Sequence, residues 1–335
     1  MEEEKGPVCV TGGTGFIGSW LVMKLLQHGY TVRATVRSDP ECNRDISYLT
    51  SLPRASEKLH IFNGDLHHPE SFNAAIEGCI GVFHVAHPMP DKELDEESVT
   101  KQSVEGTLGI LKACLNAKTV KKVVYTSSAA TVAYSGNNKE MVDESSWSDI
   151  EYHKSLEMFR TSSYVAAKTK TEQAALKFAE ENGLELVTLI PPFVLGGFIC
   201  KDLPGSVKLI LSMIVGNATI FPHLHKLSLV HVDDLVSAHI FLYENSNARA
   251  GRYICSSTPT SIEEMHRFLS AKYPEFHIPI AQPLKEAYKM SGYSSKKLLN
   301  TGFEFKHGLN DILDEAIQSC REKGFLENLF GKIDT

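Results

Sequence analysis

A chain of 335 residues, 42% hydrophobic and 22% charged, can bury one large core and a smaller second one. Its net charge of -7 argues against nucleic acid or an anionic membrane surface as the main partner. Seven scattered cysteines, an odd number, suggest free thiols in a reducing compartment and not a disulfide framework.

The acidic start, Met1-Glu2-Glu3-Glu4, does not read as a signal or transit peptide. Val8-Cys9-Val10-Thr11 is a short apolar run, followed by Gly12-Gly13-Thr14-Gly15-Phe16-Ile17-Gly18 and a helical spacing from Trp20 to Leu26. Buried strand, glycine turn and helix are the parts of a dinucleotide-binding unit. The glycines let backbone approach a pyrophosphate, and the helix N-terminus offers free N–H groups to it. Gly12, Thr14, Gly15, Phe16 and Ile17 are therefore expected to touch a cofactor. Thr31 to Val36 reads as the second strand and ends at Arg37. An NAD enzyme would place an acid about twenty residues after the glycines. Arg37, with Arg44 nearby, suits a 2′-phosphate instead, which favours NADPH over NADH. A solvated surface arginine is the alternative reading of Arg37.

Leu59 to Phe62, Gly81 to Val85, Lys122 to Thr126 and Leu186 to Ile190 read as further strands. Helical spacing lies between them, notably over Val99 to Leu115 and Tyr164 to Phe178. This alternation predicts an α/β fold, a Rossmann-type doubly wound parallel sheet covered on both faces. Asp65 after the third strand is either a turn residue or an acceptor for an adenine amino group. Thr126-Ser127-Ser128-Ala129 lies at the carboxyl end of the fifth strand, where open sheets bind ligands. Tyr164 and Lys168, four residues apart, share one helix face. The ammonium is expected to pull the phenol pKa down and ready it for proton transfer. With a serine hydroxyl on the same oxygen, these groups make a constellation for reducing a carbonyl, and Lys168 also holds the cofactor ribose.

The region 184–199 is apolar but broken by Pro191, Pro192, Gly196 and Gly197, against an ordinary membrane helix. Beyond it the rhythm gives way to irregular apolar stretches such as Phe198-Ile199-Cys200 and Val207 to Val215. Ile262 to Tyr273 and Leu309 to Cys320 look like amphipathic helices. The expected division is a cofactor domain over 1–193 with about 229–256 and 307–326, and a discontinuous substrate lobe over about 194–228 and 257–306. His67-His68 and His223-x-His225 lack zinc spacing, so no metal is expected. His84, inside the fourth strand, reads as structural. His87 either meets a substrate hydroxyl or caps that strand.

Taken together, Val10 to Trp20, Thr35-Val36-Arg37, Tyr125 to Ala129, Asp143 to Asp149, Tyr164 to Lys168, Val230 to Asp234, Gly251 to Ser257 and Gly302 to Lys306 carry a resemblance across about Val8 to Leu326. The chain resembles the extended short-chain dehydrogenases/reductases, closest to plant dihydroflavonol-4-reductase and vestitone reductase relatives. The resemblance implies Ser128 as the catalytic serine, Tyr164 as proton donor and Lys168 as its partner. It also implies cofactor contacts from Asp65, Leu66, Val85, Ala86, Thr126, Pro191, Val194 and Ser206. Substrate contacts are expected from His87, Met89, Ala133, Phe193, Phe221 and Ser228. The implied reaction is NADPH-dependent reduction of a ketone on a flavonoid-like or alkaloid-like metabolite. Scattered thiols, the acidic start and the broken apolar stretch lead to a cytoplasmic expectation, and the resemblance implies a protein more often monomeric than assembled, with a homodimer as the alternative. Ala133 stands where dihydroflavonol reductases carry a polar B-ring contact, and Ser228 where they carry a second. A site that loses such partners discriminates against the hydroxylated substrate, which points to a less hydroxylated ketone. The rival classes are an epimerase or dehydratase on the same fold and a non-catalytic NADPH-binding module.

Overall fold

The computed structural model describes residues 5–37, 45–88, 95–136, 139–156, 159–214, 226–276, 278 and 291–330. Twelve strands are described: β1 (Lys5–Thr11), β2 (Tyr30–Val36), β3 (Leu59–Asn63), β4 (Gly81–His84), β5 (Lys122–Thr126) and β6 (Met141–Val142), then β7 (Leu186–Ile190), β8 (Phe193–Leu195), β9 (Lys226–His231), β10 (Gly251–Ile254), β11 (Thr258–Ser261) and β12 (Gly292–Tyr293). Seven of them form one sheet in the order β10-β7-β5-β4-β1-β2-β3. Every pairing in it is parallel.

The central strands are buried throughout, and their side chains alternate between the two faces of the sheet. Val8, Val10, Phe83, Val124 and Val187 face helix Phe16–Gln27 (Leu21, Leu25) and helix Val232–Glu244 (Leu235, Val236). Cys9, Val82, Val123, Tyr125 and Leu186 face the opposite layer, with Ile110 and Leu111 of helix Glu96–Ala117 and Ala175 and Ala179 of helix Phe159–Asn182. That two-sided cover is why these strands read as continuous apolar runs. All six described cysteines are unpaired and buried. No helix among the described residues is long and apolar enough to cross a membrane.

A second core lies over a three-stranded sheet ordered β11-β9-β8. Val207, Ile210 and Leu211 fill it from helix Gly205–Ile214, and Met265 and Leu269 from helix Ile262–Lys272. The stretch from Val207, expected to be irregular, is thus a helix. Its apolar positions crowd so closely that little polar face remains to mark the period. Helix Leu309–Glu322, expected on the larger domain, buries Ile312, Leu313, Ala316, Ile317 and Cys320 in this second core instead. Its apolar stripe fits the gap beside the other two helices.

In the large sheet β1 leads to β2 on one side and neighbours β4 on the other. The strand order reverses there, so a crevice opens beyond the carboxyl ends of β1 and β4.

Candidate active site

The crevice at this reversal continues between the two cores as a cleft of about 1110 Å³. Its floor starts at the glycine turn. Gly12 has a φ of 73°, open to glycine at no steric cost. A Cβ on Gly18 would lie 2.1 Å from the Gly12 carbonyl oxygen, so this helix turn closes only around glycine. At Gly15 a Cβ would meet just Gly12 O at 3.5 Å. The protein itself does not need glycine there, and the space left open belongs to the cleft that Gly15 lines. A pyrophosphate set against the N-terminus of helix Phe16–Gln27 uses that space. The chain's own residues therefore fit a nicotinamide dinucleotide.

Thr11 braces the opposite wall. Its Oγ1 accepts from the Val85 and Ala86 N–H groups, both at 3.1 Å, and contacts His84 Nδ1 at 2.8 Å. With both lone pairs used, the hydroxyl proton goes to Nδ1, so His84 carries its hydrogen on Nε2 and donates to Thr107 Oγ1 at 3.1 Å. Burial pushes the His84 pKa down to about 3, with Lys168 pushing the same way. His84 is a neutral strut.

Every residue expected to meet the cofactor lines this cleft except Arg44, which falls outside the described residues. Arg37 lies at the exposed end of β2, and Asp65 and Leu66 follow β3. Asp65 Oδ1 accepts from His67 N at 3.0 Å in a local turn, and the residue lines the cleft. Ser206 Oγ donates to Val194 O at 2.6 Å, tying helix Gly205–Ile214 to β8. Of the expected substrate contacts, His87, Ser128, Ala133, Phe193 and Ser228 line the cleft. Met89 and Phe221 lie outside the described residues.

The reacting groups converge where β5 ends. Ser127 and Ser128 are separated by their partners. Ser127 Oγ donates to Glu172 Oε2 at 2.9 Å beneath the cleft. Ser128 sits in an extended conformation, accepts from Ala130 N at 3.2 Å, and hydrogen-bonds with Tyr164. Tyr164 keeps 37% of its surface accessible because it faces the cleft, yet protein crowds it on its other sides. That crowding raises the Tyr164 pKa above the ordinary value, and the Ser128 hydrogen bond lowers it in part. The expected depression by Lys168 is therefore not what governs the phenol. Desolvation by burial is the larger effect, and the Lys168 ammonium is itself engaged, donating to Thr126 O at 3.2 Å and lying 5.5 Å from the Tyr125 ring centre. Lys168 is 4% exposed; burial pushes its pKa down to about 8 against an upward pull from Glu172. His87 meets Tyr164 edge to face at 5.6 Å. Burial, then Lys168 and His84, hold the His87 pKa well below the ordinary value, so its ring is neutral beside the phenol.

Two clusters of side chains were not singled out from sequence for a role. Glu172, fully buried, pairs with Arg252 of β10 at 3.1 Å. The signal was present: Tyr164, Lys168 and Glu172 recur every four residues along one helix face. His231, His307 and Glu315 bring ligand atoms within 4.8 Å of one another. The two imidazoles stack at 4.0 Å and 16°, so their in-plane lone pairs run side by side and do not converge on a metal. His231 Nδ1 accepts from Asp233 N, and His307 Nδ1 bonds Asp234 Oδ1, both at 3.0 Å, knitting β9 to the chain before helix Leu309–Glu322.

The NAD dependent epimerase/dehydratase family matches residues 8–255. Vestitone reductase of Medicago sativa is 50% identical over 97% of this chain and 100% of its own length. Its crystal structure superposes with a TM-score of 0.84 at 46% identity, covering 96% and 100% of the two chains. Protein BRI1-5 ENHANCED 1 of Arabidopsis thaliana is 54% identical over 97% and 91% of the two chains. The bifunctional dihydroflavonol 4-reductase/flavanone 4-reductase of Malus domestica is 46% identical over 97% of this chain and 93% of its own length. A parallel sheet with its crevice at the reversal point, a glycine turn beneath it and full-length likeness to reductases place this chain in the NAD dependent epimerase/dehydratase family.

Proposed function

We propose that the protein is an NADPH-dependent reductase that converts a ketone of a flavonoid-like plant metabolite to a secondary alcohol. The observation that carries this reading is the meeting of Ser128, Tyr164 and Lys168 in the cleft that begins at the glycine turn. The Gly12–Gly18 turn would hold the pyrophosphate, Arg37 the 2′-phosphate, and Lys168 the nicotinamide ribose. The bound dinucleotide supplies a hydride. Ser128 and Tyr164 bond the substrate carbonyl oxygen, and Tyr164, kept protonated by its crowded setting, gives that oxygen its proton. The buried Lys168 ammonium offsets negative charge on the phenol oxygen as the proton leaves. His87 closes the wall beside Tyr164 and contributes an uncharged ring to the substrate.

The likeness to vestitone reductase supports a flavonoid-class ketone. Ala133, 4% exposed, presents no polar atom of its side chain to the cleft, which supports a less hydroxylated substrate. Dehydratases on this fold need an acid beside the catalytic hydroxyl. Here the carboxylate bonded to that segment, Glu172, is fully buried with its oxygens occupied by Ser127, Thr188 and Arg252. The two-core division of the chain, with the cofactor on the large sheet and substrate under the second core, belongs to the same proposal. Six buried, unpaired thiols support a cytosolic location.

The test is NADPH oxidation against dihydroflavonols, isoflavanones and alkaloid ketones, with products identified by mass. Turnover of isoflavanones with dihydroflavonols inert is the expected result. No oxidation with any carbonyl would overturn the reading.

A further inference from the structure

We infer that Glu172 and Arg252 form a positioning pair that holds Ser128 and the Lys168 ammonium in register for carbonyl reduction. This rests on the reductase reading above. The pair is saturated. Glu172 Oε1 accepts from Thr188 Oγ1 at 2.6 Å and Arg252 Nε at 3.1 Å, and Oε2 accepts from Ser127 Oγ at 2.9 Å and an Arg252 Nη2 hydrogen at 3.3 Å. Arg252 spends its remaining donors on Glu144 O at 2.8 Å, Ser146 O at 2.6 Å and Thr131 Oγ1 at 3.0 Å. That makes five bonds from five N–H groups, and four onto the carboxylate. The guanidinium also lies 3.6 Å from the Trp147 ring centre. A pair with no spare donor or acceptor cannot itself exchange a proton with substrate, so its influence passes through its neighbours.

Two routes reach the reacting groups. The first grips the catalytic serine from both sides. Ser127, the residue before it, is held by Glu172, and Thr131 Oγ1, held by Arg252, donates to the Ser128 carbonyl at 3.0 Å. Movement of the ion pair therefore moves the backbone that aims the Ser128 hydroxyl. The second route is electrostatic. Lys168 faces Tyr164 and Glu172 from its own helix, the Tyr125 ring from β5, and His84 and His87 from β4 and the residues after it. Arg252 reaches it only behind Glu172. Both histidines are neutral at the pH where Lys168 titrates, so Glu172 is the anion that keeps its ammonium charged. Buried ion pairs contribute little net stability compared with apolar replacements of the same shape. Geometry of the site is the better account of this one.

Four variants separate the routes from plain structural loss. In the free protein, 13Cε-lysine NMR should find Lys168 titrating at about 8. Glu172→Gln should lower that value and cut kcat by about 10- to 100-fold with KM little changed, the scale expected of a misplaced catalytic group. Glu172→Asp, which keeps the charge, should restore the titration. Arg252→Gln should leave it in place or raise it. Thr131→Val removes the hydroxyl that links Arg252 to Ser128 while leaving the Glu172–Arg252 pair in place, and should lower kcat with the Lys168 titration unmoved. The inference is overturned if Glu172→Gln and Thr131→Val keep parental kcat, or if Glu172→Gln and Arg252→Gln lower the titration equally. Absence of NADPH-dependent turnover in the parent would instead strike the reductase reading, while the titration would still report on the pair.

Discussion

At the scale of single residues, Tyr164 and Arg37 separate chemistry from binding. Tyr164→Phe removes one hydroxyl that Ser128 already bonds and leaves the glycine turn untouched. Turnover should fall by about 10²-fold or more, the usual worth of a positioned proton donor, while NADPH affinity, read by fluorescence titration, stays near the parent's. Parental turnover would remove Tyr164 from the mechanism. Arg37 is exposed at the end of β2 and lines the cleft. Arg37→Glu exchanges an attractive charge for a repulsive one and should weaken NADPH at least about tenfold, the scale of a lost charge-assisted bond. NADH, lacking the 2′-phosphate, should change little; equal losses for both would end that assignment. Residue identity alone was enough to pick out Tyr164, Lys168 and Arg37, because their meaning lies in spacing along one chain segment. The choice of Ser128 over Ser127 was not legible from local residues. It depends on Glu172, which arrives from another helix to occupy Ser127. The sign of the Tyr164 shift was also hidden, since crowding by distant segments outweighs a charge four residues away.

At the scale of elements, the glycine turn and helix Phe16–Gln27 form one unit whose tolerance is set by backbone contact. Gly18→Ala would place a methyl group 2.1 Å from Gly12 O, against backbone that cannot rotate away. The turn has to shift, so we expect a fall in thermal midpoint and loss of NADPH binding. Gly15→Ala meets only Gly12 O at 3.5 Å and should fold normally while still losing affinity. Equal stability of the two variants would contradict the packing described for Gly18. The parallel strands and the long helices were legible because each repeats a period over many residues. Helix Gly205–Ile214 was not, because apolar residues occupy Val207, Ile210, Leu211, Met213 and Ile214 and leave too thin a polar stripe. The place of helix Leu309–Glu322 was missed for a different reason. An amphipathic stripe declares that a face is buried, but not which of two cores receives it.

For the molecule as a whole, the large sheet and its helices carry buried neutral histidines that link stability to pH. Burial pushes His84 to about 3 and His239 to about 4, both below their values in the unfolded chain. The unfolded state therefore binds more protons once pH drops below about 6.5, and stability falls from there down through the folded pKa values. Each histidine contributes a slope of about 1.4 kcal/mol per pH unit inside its window. Urea midpoints measured from pH 7 to pH 4 should decline, and His239→Gln should flatten the curve. A midpoint that stays level would show that these rings are not held neutral. The cleft runs between the cores and takes its walls from both: Gly12 and Val85 from the large sheet, Ser206 and Leu227 from the smaller one. Whatever fills it bridges those two parts of the chain. A ligand held only by the folded state at a hundred times its Kd adds about 2.7 kcal/mol. Survival of this protein against proteases thus becomes tied to the supply of reduced dinucleotide, and a cell short of that supply would lose the enzyme along with its reaction.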